Sequence, residues 1–189
     1  MKVTPKIDLE TKPRITIEKQ PTVTVELHPV LEAYCRYVFK TPPKQDFIVI
    51  DRRHIIGKAI NGLVEKTNEK PKECRCTKSF ANPVVFTVPE TKLNQYSLTT
   101  NFVYMNAEEN EAFSDRVEVE YSGWVSGLFK DGRAMNLDQL GIIEVALDLL
   151  NVRMNAVNFD YVKKYDYRMR KSEVRMRTKT ILKQRLLVS

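Results

Sequence analysis

The apolar residues of this 189-residue chain change their period partway along it, and that change restricts the fold more than any other feature. Near the start, residues 14–18 (RITIE) and 22–27 (TVTVEL) alternate apolar and polar around Lys19-Gln20-Pro21, the two-residue period of half-buried strands. Residues 84–88 read as a further strand, and Leu98, Thr100, Phe102 and Tyr104 alternate as another. Beyond them the spacing becomes helical. Phe113, Val117, Tyr121, Trp124 and Leu128 mark a long helix over 107–129, ended by Lys130-Asp131-Gly132. Asn106 and Glu109 supply a capping box at its start. Asn136 is placed to cap a second helix over 137–150, apolar on most sides and therefore expected to be largely buried. Strands first and helices afterwards predict an α+β fold.

The N-terminal part also carries helices. Pro29 opens one to Phe39, with Val30, Leu31, Tyr34 and Val38 on one face, and Thr41-Pro42-Pro43-Lys44 stops it. Residues 47–50 form a short apolar strand. Asp51 is placed to cap a helix in which Ile55, Ile56, Ala59, Ile60, Leu63 and Val64 fall at helical spacing up to Lys66. Residues 67–83 have no periodicity and turn formers at both ends. They read as a loop or linker between a small α+β subdomain, 1–66, and a mainly helical one, 84–189.

Charge narrows the function. The net charge is +7, and from Lys163 to the end ten cations face two acids, a local charge of +8. The rest of the chain is therefore close to neutral. From Tyr104 to Asp148 ten acids face three cations, a local charge of −7. A basic segment of this density suits phosphate, whereas the acidic one suits a protein partner or the basic segment itself. Lys164, Arg168, Lys171, Arg175 and Lys179 recur every three or four residues, one ridge if the segment is helical. Val174, Met176, Thr178 and Thr180 alternate with Arg175, Arg177 and Lys179, as a strand with one basic face would. Either form presents cations to a nucleic-acid backbone, with Lys163, Arg170, Tyr165 and Tyr167 beside them.

Residues 146–165 resemble a helix-turn-helix DNA-binding unit. Leu150, Asn151 and Val152 stand where such units turn, because Asn tolerates left-handed backbone. Ala156 and Val157 stand at the packing positions of the second helix and Tyr161 one turn on, while Leu147 and Asp160 depart from the pattern. The resemblance implies that Arg153, Asn155 and Asn158 face outward and reach base edges in a major groove.

Other chemistry has less support. Cys74-Arg75-Cys76 could join Cys35, His28 or His54 on zinc, but no second ligand pair is present, and loop cysteines are the simpler reading. Arg52, Arg53 and His54 are expected in the first turn of a helix, beside a phosphate or an acidic neighbour. A metal-dependent nuclease would need Asp51 with Glu90 and Lys92, but Pro89 puts Glu90 in a turn. No Walker loop or dinucleotide fingerprint occurs, so no cofactor and no catalytic activity are implied. No apolar run suits a membrane span or a secretory signal, and three cysteines fit a reducing compartment such as the cytoplasm. The expectation is a non-enzymatic DNA-binding protein, a regulator or a replication or mobile-element accessory. RNA is the alternative ligand. The alternative is an assembly protein, cellular or viral, whose basic tail docks on an acidic surface or on packaged nucleic acid. A homo-oligomer or an acidic-surface partner fits either.

Overall fold

Strand β1 (Thr22–Leu27) opens the part of the chain described by the computed structural model, which covers residues 21–69, 82–91, 94, 98 and 101–188, with side chains to 180. Val23, Val25 and Leu27 point inward, as their alternation requires. The strand expected at 14–18 and the cysteines at 74 and 76 lie outside the described residues. Helix α1 (Pro29–Val38) buries Val30, Leu31, Tyr34 and Cys35. Its N-cap is His28, whose Nδ1 accepts the Val30 N–H at 3.2 Å.

Strand β2 (Phe47–Ile48) is two residues shorter than expected. Thr87 extends the pairing beyond it with side-chain bonds, accepting the Ile50 N–H at 3.3 Å and donating to the Ile48 carbonyl at 3.4 Å. Helix α2 (Ile55–Leu63) starts later than expected, because Asp51 caps a turn instead and accepts the Arg53 N–H at 2.8 Å. His54 is the N-cap of α2, so Arg52 and Arg53 precede the helix and do not lie in its first turn. Gly57 lets α2 approach that turn: a Cβ there would stand 2.2 Å from the Asp51 carbonyl oxygen. Residues beyond Leu63 leave the helix to form β3 (Glu65–Thr67).

Strand β4 (Asn82–Thr87) lies between β1 and β2, antiparallel to the first and parallel to the second. Strand β5 (Phe102–Tyr104) pairs antiparallel with β3. It is shorter than its alternation suggested, since Leu98 is helical and buried. The linker expected at 67–83 ends inside β4, and strands and helices from before and after it share one core, in which Val25 and Phe113 belong to the same buried cluster.

Helix α3 (Ala107–Ala134) is the spine of the fold, about 42 Å long at 1.5 Å per residue. Its capping box forms as expected, with the Glu109 N–H on Asn106 Oδ1 at 2.9 Å and the Asn106 N–H on Glu109 Oε2 at 2.8 Å. Phe113, Val117, Tyr121, Val125 and Phe129 make one buried stripe that packs on both the sheet and the other helices. The helix continues past Gly132, where Ile142 packs so closely that a Cβ would meet its Cγ1 at 2.5 Å.

Helix α4 (Gln139–Leu149) is capped by Asp138, which accepts the Gly141 N–H at 2.8 Å, and not by Asn136. Asn136 adopts φ 61° and turns the chain between α3 and α4. Nor is α4 largely buried. Ile142, Ile143, Ala146 and Leu147 face the core, whereas Leu140, Val145 and Leu149 are exposed. Helix α5 (Ala156–Val188) then runs 33 residues, roughly 50 Å, which settles the basic segment as helix and not strand. No helix among the described residues is long and apolar enough to cross a membrane.

Candidate nucleic-acid interface

The turn into α5 forms where it was read from the sequence, since Leu150 is buried and Asn151 takes φ 54°. The expected packing register does not. Ala156 and Val157 are exposed, while Asn158 is buried and Phe159 and Val162 pack inward. Asn158 therefore faces the body: its amide donates to the Arg153 carbonyl at 2.9 Å, and its N–H meets Asn155 Oδ1 at 2.8 Å. Asn155 caps α5, and both asparagines are spent on the turn. Of the three residues expected at base edges, Arg153 alone presents an exposed side chain with no bond to the turn.

The basic ridge divides in two. In its lower half Lys164 is half-buried, 3.7 Å above the Tyr161 ring and 4.8 Å from that of Tyr165, with Nζ 3.3 Å from Glu118 Oε1. Burial, opposed by Glu118, pulls the Lys164 ammonium below its usual range. Arg168 reaches the same Glu118 oxygen at 3.3 Å. Burial alone would raise the Glu118 carboxyl, but Tyr165, Lys164 and Arg168 together outweigh it and hold it low. Arg170 is committed to Asp166 at 3.1 Å, and Lys163 lies 5.5 Å over the Phe159 ring. Acidic α3 thus neutralises the root of the basic helix.

The upper half is different. Every residue from 171 to 180 is exposed; Ser172 and Glu173 still border clefts against α3 and the start of α4, and α5 leaves the body beyond them. Lys171 lies 5.9 Å from the Tyr167 ring, and Arg175, Arg177 and Lys179 form no ion pair among the described residues. Four cations face one acid, Glu173, on this arm.

Sequence reasoning missed the aromatic seat of α5. Tyr161 stacks on His28 with ring centroids 3.8 Å apart and planes 11° apart, and Tyr165 sets its edge on Tyr121 at 5.2 Å. Burial first, then Lys164, pushes the His28 imidazole down from 6.5 to about 4, against the opposing pull of Glu118. Unfolded, the ring takes a proton near 6.5; folded, only near 4, so the unfolded state binds more protons between these values. Stability should fall as pH drops through that window and level off below it. The half-exposed ring limits its share to roughly 1–2 kcal/mol. His28→Asn keeps a cap acceptor and removes the titration, so its urea unfolding free energy should change less between pH 6.5 and 4 than that of the parent. Parallel profiles would refute this assignment.

The remaining candidates do not converge. His28 and His54 each cap a helix, and Cys35 is fully buried, which pushes its thiol up. Glu90 is exposed and Lys92 lies outside the described residues. Among the described residues no group of three or more His, Cys, Asp or Glu is placed to hold a metal ion. No family model, no curated protein and no solved structure matches the chain.

Proposed function

We propose that the chain is a non-enzymatic nucleic-acid-binding protein that grips the phosphate backbone of a duplex with the arm 171–180. One observation carries this reading: Lys171, Arg175 and Lys179 lie on one side of a fully exposed helix with no acidic partner among the described residues. Phosphate contacts of this kind give salt-dependent affinity without sequence information. With Asn155 and Asn158 engaged in the turn, Arg153 is the one expected base-reading side chain still available.

The test is binding to a random duplex at rising salt. Each phosphate contact contributes about −0.9 to the slope of log affinity against log salt. Changing Lys171, Arg175 and Lys179 together to Ala should flatten the slope by roughly 2–3 and weaken binding equally for all sequences. Arg168→Ala should change it far less, since Arg168 is already paired with Glu118. No binding at low salt, or an unchanged slope in the triple variant, refutes the proposal.

A further inference from the structure

We infer that the chain self-assembles head to tail, the basic arm of one copy docking on the outer face of α4 of the next. This goes beyond the nucleic-acid reading and does not rest on it. The outer face of α4 is apolar where a surface helix is ordinarily polar. Leu140, Val145 and Leu149 are 44–45% exposed, with Leu137 beside them at 43%. Between these side chains run Glu144 and Asp148, four residues apart and both exposed. From Asn136 to Val152 there are three acids and no cation.

The arm is the complement of that face. Lys171 and Arg175 share the four-residue spacing of Glu144 and Asp148, and Val174 and Met176 are each 63% exposed next to them. Ten exposed residues of arm, about 15 Å, match the 11 residues of α4, about 16 Å. A free helix of this length gains little stability by itself in water, so a surface that covers it favours the helical form.

Other arrangements fit less well. The root of the arm borders only the start of its own α4, where Arg170 and Glu173 share a cleft with Leu137 and Asp138, and one continuous helix from Ala156 to Val188 cannot fold back along Glu144 and Asp148. Two α4 faces packed about a two-fold axis would set Glu144 and Asp148 against their like. Two arms would oppose cation to cation. Of these three pairings, arm on face alone joins opposite charges and also covers the apolar side chains of α4. Because each copy has one arm and one face, the contact is heterologous and growth stops only if the rotation closes a ring. A ten-residue helix contact is at the small end of specific interfaces, so association should be weak, with a dissociation constant on the order of 10–100 µM.

Sedimentation velocity of the full chain tests this. At about 50 mM salt its average mass should climb with concentration through 100 µM, and fall back to the monomer at about 500 mM salt. Glu144→Lys with Asp148→Lys should give a monomer, as should Lys171→Glu with Arg175→Glu and Lys179→Glu. Mixing the two variants should restore assembly, since each then offers the charge the other lacks. All changes are at exposed positions, and circular dichroism checks that both variants fold.

A wild-type monomer at every concentration, or two variants that stay monomeric when mixed, overturns the inference. So does an arm variant that still associates, which would indicate face-to-face pairing. The two readings fail separately. The Glu144/Asp148 variant keeps its arm and should still bind a duplex, so loss of assembly without loss of binding marks the self-association contact alone.

Discussion

Removing Arg133 and Arg170 together, as Arg133→Met with Arg170→Met, should destabilise the protein by about 3–5 kcal/mol. Asp166 is fully buried, and its carboxylate is held by Arg133 from the end of α3, Gln139 from the start of α4 and Arg170 one turn along α5. The cost arises because a buried carboxylate left without cations keeps its desolvation penalty and loses the attraction that offset it. Removing Asp166 should be milder, since both arginines reach solvent. Adding Asp166→Leu to the double variant should therefore recover much of the loss. In a chain of this size the double variant should melt roughly 10 °C lower. Glu118→Gln is the control: its partners are partly exposed, and its cost should stay below about 1 kcal/mol. If the double variant loses no more than that control, Asp166 is not the joint that fixes the root of the arm.

Phe113→Ala should cost a similar amount, about 3–5 kcal/mol. The ring is fully buried on α3 and meets Phe86 of β4 edge to face, with centroids 5.3 Å apart at 72°. It joins the sheet to the helical spine, so the cavity left by alanine lies between two elements that cannot easily close on it. Val119→Ala, at an exposed position of the same helix, should be close to neutral. The same measurement tests the unity of the fold. Far-ultraviolet circular dichroism and Trp124 fluorescence should report one coincident urea transition in parent and variant. Two separated transitions would mean that sheet and helices unfold independently.

Much of the local structure was legible in the chain. The Asn106/Glu109 box, Pro29 at the first turn of α1, the alternation of Thr22–Leu27 and the left-handed Asn151 each act over four or five residues, and each forms as read. Errors arose where two local signals competed. Asp51 and His54 could both cap α2, but the Asp51 carboxylate takes the Arg53 N–H and the His54 ring takes the Ile56 N–H. Asn136 and Asp138 competed in the same way, and the positive φ went to Asn136 because a close turn between α3 and α4 needed it. Gly132 looked like a helix stop, but the close approach of Ile142 makes it a contact point inside the helix.

The candidate site was less legible, for the same physical reason on a longer scale. Spacing placed the cations of α5 on one ridge, and it could not say which of them were free. Glu118 and Arg168 are 50 positions apart, and packing of α5 on α3 alone brings them together. The sequence by itself determined a basic segment behind an acidic helix and an order of strands before helices, because charge and hydrophobic period are properties of neighbouring residues. Only the tertiary structure decided that Lys164 and Arg168 are held by Glu118, that Asn158 faces inward, and that residues 171–180 are exposed. Those facts depend on which surfaces desolvate one another, and desolvation is settled between elements far apart in the chain.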